Sequence, residues 1–306
     1  MHPPPVLRPG APIAVVAPAS PPRSLGNYRN GLAQLRSLYD VRSAWSPGQE
    51  RGYLAAPDTE RVRSLEAAIE DPEIRGIICV RGGYGCLRLL PHLDWELAQT
   101  HPTLLVGYSD VTALHLAYYA RAGWSGLSGP VATEWHKLDD ESLHSYRTLA
   151  EGHAPALDSP SLTSLRPGSA TGPLLGGNLS VLVHLLGTAF APEWDEAILV
   201  LEDVAEAPYR IDRMLGHLEQ AGVLAAVNGV VLGDFGNEHL SPDPPTLALE
   251  TVFDDYFGDR SYPVATGLPY GHRLPRCTLP IGTPVALTVD SDHVHLTMQR
   301  PAVSST

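Results

Sequence analysis

Short apolar runs alternate with amphipathic stretches, and this constrains the 306-residue chain more than any other feature. Residues 13–17 read as a strand, 27–38 as a helix, and Asp58–Glu70 as a second helix opened by Asp58. Residues 76–80 and 103–107 are compact apolar runs of strand length. Between 110 and 121, Val111, Leu114 and Tyr118 recur at helical spacing. Strands without polar interruption need cover on both faces, and intervening helices supply it. The pattern predicts an α/β fold whose N-terminal domain has a mostly parallel sheet flanked by helices.

From 151 to 170 the periodicity fades into Pro, Ser, Gly and Thr, which predicts a connection between an N-terminal domain (1–150) and a C-terminal domain (171–306). The second half opens with Gly172-Pro-Leu-Leu-Gly-Gly-Asn178 and an expected helix through Leu186. A buried strand over 197–201 ends at Glu202-Asp203. Pro208 marks a helix start, and Ile211, Met214, Leu215 and Leu218 form the apolar stripe of a packed helix. Residues 229–235 read as a further strand, and 284–289 with 293–298 as a hairpin. The expectation is a C-terminal α/β domain with a small antiparallel β portion.

Thirty-four acidic against 21 basic residues leave a net charge of −13, which argues against DNA, RNA or an anionic membrane as main partner. No apolar run reaches the ~18 residues of a membrane span. Residues 13–19 have the look of a short signal core, but prolines precede them, and we read them as the first buried strand. Three irregularly spaced cysteines suit a reducing, cytoplasmic setting. Lys137 is the only lysine. That bias toward arginine fits either genomic composition or planar, bidentate anion binding.

The most informative local pattern is a strand, then Gly107-Tyr-Ser109-Asp, then a helix. A serine on a sharp strand-to-helix turn projects its hydroxyl outward, with the next N–H free for an oxyanion. The competing reading is a helix N-cap. The turn departs from G-x-S-x-G, because Val111 stands where the second glycine belongs. Among 13 histidines, His272 lies in a turn-rich loop, whereas His115, one and a half turns into the helix after Ser109, is expected to face elsewhere and His184 to sit in an apolar helix, so both read as structural. Glu202-Asp203 at a strand end offers an orienting acid, or simply a loop cap. Arg81-Gly-Gly-Tyr-Gly85 follows a strand and lets backbone approach a ligand closely. Its spacing fits neither nucleotide-phosphate loop. His293-x-His295 lacks a third ligand, there is no H-E-x-x-H, and we expect neither metal nor cofactor.

Taken in order, several segments resemble one family. They are Ile13-Ala-Val-Val-Ala-Pro-Ala-Ser20, Gly52-Tyr-Leu-Ala-Ala, Arg81–Gly85, Gly107–His115, Gly176-Gly-Asn-Leu179, Leu201-Glu-Asp-Val204, Pro208–Arg213 and Gly271-His272. The chain resembles the serine LD-carboxypeptidases, a group that includes murein tetrapeptide carboxypeptidases and microcin C immunity proteins. The resemblance implies a triad of Ser109, Glu202 and His272, with backbone N–H groups of Gly83 and Asp110 as oxyanion hole. Asn178 and Arg81 are candidate substrate contacts. Arg273 and Arg276, with Arg210 and Arg213, are further arginines beside these motifs.

The implied activity is cleavage of the bond before the terminal D-alanine of a small murein tetrapeptide, by a cytoplasmic homodimer without cofactor. The alternative is a microcin-type peptidase acting on aminoacyl-nucleotide conjugates. Its specificity segment is expected within 131–170 or 236–246, with Trp135 as a base-stacking candidate or a surface or interface tryptophan. A third reading is a non-catalytic binder of cell-wall peptides.

Overall fold

A computed structural model describes residues 3–157, 159–236 and 246–304. The first sheet contains β1 (Pro12–Val16), β2 (Asp40–Ala44), β3 (Gly76–Cys79), β4 (Leu104–Val106) and β5 (Gly126–Ser128). These five run parallel in the order β5-β4-β3-β1-β2. Apart from half-buried Pro12, the residues of β1, β3 and β4 are buried, as expected for strands covered on both faces by helices. Edge strand β2 instead carries Asp40 and Arg42, paired to each other, which suits an exposed margin.

The second sheet is made of β6 (Thr163–Arg166), β7 (Gly168–Asn178), β8 (Ile198–Glu202), β9 (Gly229–Leu232), β10 (Val264–Thr266), β12 (Pro284–Val289) and β13 (Val294–Met298), in the order β13-β12-β7-β8-β9-β10-β6. Strand β7 has two partners along its 11 residues. Residues 168–173 pair antiparallel with β12, which continues into the hairpin with β13. Residues 174–178 pair parallel with β8, so one strand joins the antiparallel part to the parallel part. The segment 151–170 is therefore more than a connection: β6 and the start of β7 lie within it. The expected helix after Asn178 is shorter than its apolar pattern suggested, with α-helix over Leu179–Leu182 and a 3-10 turn over Val183–Leu185.

Remaining strand β11 (Leu279–Ile281) belongs to the second half of the chain but pairs antiparallel with β5, completing the first sheet. The loop between β10 and β11 thus crosses from one sheet to the other. That loop carries His272. Near the end of the chain, Ser304 C=O accepts Val6 N–H at 2.9 Å and Ala302 C=O accepts Ser125 Oγ at 2.6 Å, tying the C-terminal segment to the first half.

Candidate active site

The turn after β4 is shaped by close packing. A Cβ on Gly107 would lie 3.0 Å from Cys79 Cβ and 3.0 Å from Val111 Cγ2, so only glycine fits without movement. His115, one turn into the helix Thr112–Ala122, meets Gly107 C=O with Nε2 at 2.8 Å. Burial pushes its pKa down to about 4, so it is a neutral structural group, as expected of a histidine facing away from Ser109. Ser109 itself has φ +64°. A serine in the left-handed region costs on the order of 1 kcal/mol and marks a position held by its surroundings. It does not cap the helix: Tyr108 precedes the 3-10 turn Ser109–Val111 and Val111 precedes the α-helix, neither with a side-chain cap.

The glycine loop rests directly on this serine. A Cβ on Gly82 would come 2.9 Å from Ser109 Cβ and 3.1 Å from Oγ. Gly83 (φ +113°) is pressed against Ser20, whose Oγ accepts Tyr84 N–H at 3.1 Å. Arg61, 2 % exposed, donates to the carbonyls of Ala56, Pro18 and Gly85 and pairs with Asp58. It thereby ties the end of β1, the helix start at Asp58 and the glycine loop into one unit. Nothing in the sequence around Ser20 or Arg61 flags these roles, because the partners that fix the glycine loop, Tyr84 for Ser20 and Pro18 and Gly85 for Arg61, come from other segments. The carboxylate of Asp110 accepts Cys86 N–H at 2.9 Å, and burial raises its pKa.

The second half brings a carboxylate and an imidazole to the same seam. Gly176 and Gly177 have φ of +133° and +134°; a Cβ on Gly177 would meet Thr112 Oγ1 at 2.5 Å. This close approach lets Asn178 N–H donate to Thr112 Oγ1 at 3.0 Å and docks the end of β7 beside the helix that follows Ser109. Glu202, 0 % exposed at the end of neighbouring β8, accepts from Asn178 Nδ2 at 3.1 Å through Oε1. Its Oε2 lies 2.9 Å from His272 Nδ1. Gly271 (φ +147°) allows that approach, since a Cβ there would stand 3.3 Å from Glu202 Oε2. Burial lowers the His272 pKa, but the hydrogen bond and charge of Glu202 outweigh it, and the net shift is upward. The Tyr108 ring packs against the imidazole at 4.9 Å between centroids. Arg276 stacks over Tyr108 at 4.2 Å and pairs with Glu134, which also accepts Tyr108 Oη at 2.7 Å.

Asp203 points away from the imidazole. Its carboxylate accepts Val204 N–H, Ser180 N–H and Asn178 Nδ2, and burial raises its pKa to about 6. Asn178 is consequently engaged on all sides: Nδ2 donates to both acids, and Oδ1 accepts Ser180 Oγ and Val181 N–H, making it an N-cap. Of the arginines beside the motifs, Arg273 pairs with Asp234, Arg276 with Glu134 and Arg210 with Glu206. Arg213 lines a separate hollow with Asp212 and His217. Among the described residues Arg81 donates to Pro21 C=O alone, at 3.2 Å.

Two sequence readings are corrected here. Trp135 is 2 % exposed and packed between Tyr39 and Tyr146, so it neither stacks a ligand nor lies on the surface. His184 is exposed rather than a core histidine, because its helix turns that face to the cleft. Of the segment 236–246, residues 237–245 lie outside the described ones. Among the described residues, no three His, Cys, Asp or Glu groups converge as a metal site, and no helix is long and apolar enough to cross a membrane.

Residues 13–129 match the LD-carboxypeptidase N-terminal domain and residues 171–287 the LD-carboxypeptidase C-terminal domain. A probable murein peptide carboxypeptidase of Bacillus subtilis is 35% identical over 290 residues, covering 93% of this chain and 91% of that protein. The crystal structure of a muramoyltetrapeptide carboxypeptidase from Oxalobacter formigenes superposes with a TM-score of 0.85 at 30% identity, covering 95% of this chain and 100% of that one. The microcin C7 self-immunity protein MccF, solved as a tryptophan-to-phenylalanine variant in complex with adenosine monophosphate, is similar in fold with a TM-score of 0.90 at 21% identity, over 99% of this chain and 100% of that one. With both domain matches and this degree of identity over nearly its whole length, the chain belongs to the LD-carboxypeptidase family and is a serine-type LD-carboxypeptidase.

Proposed function

We propose that the protein releases the terminal D-alanine from murein tetrapeptides through an acyl-enzyme on Ser109, in the recycling of cell-wall peptides. The observation that carries this reading is the Glu202–His272 pair at 2.9 Å, made across two segments at the edge of the cleft that Ser109 borders. With Nδ1 held by Glu202, the imidazole keeps Nε2 for the serine proton. Ser109 Oγ attacks the carbonyl before D-alanine while His272 accepts the Oγ proton. The N–H groups of Gly83 and Asp110 receive the oxyanion. His272 then gives its proton to the departing amine, the C–N bond breaks, and water cleaves the Ser109 ester with His272 again as base. Asn178 holds Glu202 through its amide, and Arg81 contacts the substrate. The reading carries with it a cytoplasmic homodimer, as the resemblance implies, and light scattering on the purified protein measures the second.

Incubation with L-Ala-γ-D-Glu-meso-diaminopimelyl-D-Ala, followed by mass spectrometry, tests the proposal. Wild-type protein should release alanine, and Ser109→Ala should be slower by roughly three or more orders of magnitude. Equal rates would remove Ser109 from the mechanism. A second reading, cleavage of an aminoacyl-nucleotide conjugate, is favoured by one observation. Tyr53 and Tyr84, 63% and 69% exposed, stand edge to face at 6.0 Å on the cleft rim and offer a stacking surface for a base. A processed microcin conjugate in the same assay distinguishes the two.

A further inference from the structure

The cleft is electrostatically two-sided about Ser109. One lobe, of ≈ 550 Å³, is bordered by Ser109, Gly83 and His272 and by three cations, Arg23, Arg81 and Lys137. Among the described residues none of the three meets a carboxylate: Arg81 donates only to a backbone carbonyl, and Arg23 and Lys137 are exposed without an ion pair. The acid in this lobe, Glu134, is already bound to Arg276 and Tyr108. The 14-residue helix Leu25–Leu38 also begins here: Ser24 and Asn27 line the lobe, and its first turn holds no acidic residue. Its N-terminal partial charge therefore adds to the three cations. The opposite lobe, of ≈ 690 Å³, offers no such cations: among the described residues its one arginine, Arg88, is bound to Asp58, and its acids are engaged as well, Asp110 and Asp203 with backbone N–H groups and Glu206 with Arg210.

We infer that the basic lobe is the subsite for the leaving end of the substrate. The terminal carboxylate is held on Arg81, with Arg23 and Lys137 at the rim, so that the rest of the peptide runs from Ser109 into the opposite lobe. This rests on the peptidase reading above and adds its direction. On a chain of net charge −13 an anionic peptide is repelled at long range, and capture requires a local patch of opposite sign. Partial burial, and then the charge of Arg23, lower the Arg81 pKa, and a bound carboxylate compensates both. The single lysine of the chain, Lys137, stands at this rim.

The test compares the tetrapeptide acid with its C-terminal amide. Wild-type kcat/KM should favour the acid by roughly 10- to 100-fold, the worth of one charge-assisted bidentate contact. Arg81→Gln should collapse that preference. Arg23→Gln and Lys137→Gln should each raise KM roughly threefold and flatten the salt dependence. A wild-type enzyme indifferent to amidation overturns the inference, as does a preference unchanged in the triple variant. Should the triple variant not fold, a second measurement decides. In the Ser109→Ala protein, acylation of Lys137 by an amine-reactive ester, read by peptide mass, should be slowed by the acid peptide and not by the amide; no protection by either overturns the inference. If the wild-type protein cleaves neither peptide, the murein reading falls, while this protection experiment still answers for the lobe.

Discussion

Replacing Asn178 by alanine removes the one side chain that stands between two buried acids. Its Nδ2 lies 3.1 Å from Glu202 Oε1 and 3.1 Å from Asp203 Oδ1, and its Oδ1 accepts Val181 N–H at 3.2 Å. A hydrogen bond to a charged acceptor is worth about 1.5–3 kcal/mol and an N-cap about 1 kcal/mol. The three contacts share one side chain and are not additive, so the expected loss is about 3–4 kcal/mol. The loss should depend on pH. Asp203 titrates at about 6 when folded, against an ordinary 3.8, because burial disfavours its charge. A raised folded pKa contributes stability present at acid pH and lost as pH rises through about 6. The Asn178 amide stabilises the charged form, so alanine should raise the Asp203 pKa further and deepen the loss above pH 6.

We expect Asn178→Ala to destabilise by about 2 kcal/mol at pH 5 and about 4 kcal/mol at pH 8, read from urea unfolding of variant and parent at both pH values. Turnover should fall by roughly 10- to 100-fold with KM little changed, because Glu202 loses a support and the Asn178 amide is taken up by contacts within the protein. Equal destabilisation at the two pH values would refute the reasoning, since it would mean that the amide does not stabilise an ionised pair.

Gly82→Ala places a methyl 2.9 Å from Ser109 Cβ and should lower kcat by roughly 100-fold at a stability cost of about 1–3 kcal/mol, measured by steady-state kinetics and denaturation. The acid limb of kcat/KM should lie above pH 6.5, because Glu202 raises the His272 pKa and the base must be neutral; Glu202→Gln should move that limb down. The same raised pKa makes the Glu202–His272 pair stabilising at low pH, an advantage lost as pH rises through the folded value. Arg61→Met should slow turnover more than it raises KM, because it frees the glycine loop without touching substrate; recovery in Arg61→Lys would be partial, as one ammonium cannot reach four acceptors.

Much of the fold was legible because its strands are short, apolar and separated by amphipathic helices. The burial of β1, β3 and β4, the helix opened by Pro208 and the terminal hairpin follow from local composition. Strands β5, β10 and β11 were not legible, since each has three residues interrupted by Gly, Ser, Thr or Pro, unlike the wholly apolar β4. Strand β7 hid for another reason: its first half is polar and half exposed, and its glycine-rich end looks like a loop. Trp135 and His184 were misjudged because the exposure of an aromatic or a histidine depends on what packs against it from elsewhere.

Local residue types left Ser109, Glu202 and His272 open to cap and loop readings, and it was the resemblance carried by the ordered motifs that put them forward as a candidate set. What the tertiary structure alone decided is how that set is held. The loop crossing from β10 to β11 carries His272 toward Glu202; Asn178 separates the two acids; Ser20 and Arg61 pin the glycine loop on Ser109. It also sorted the arginines, engaging Arg210, Arg273 and Arg276 with acids and leaving Arg81 with a carbonyl. The physical reason is the same in each case. Residue type sets what a side chain is able to do, whereas its partner, burial and electrostatic surroundings come for the most part from other segments, 24 positions away for Asn178 and Glu202, 70 for His272 and Glu202 and 142 for Arg276 and Glu134, and no local pattern contains them.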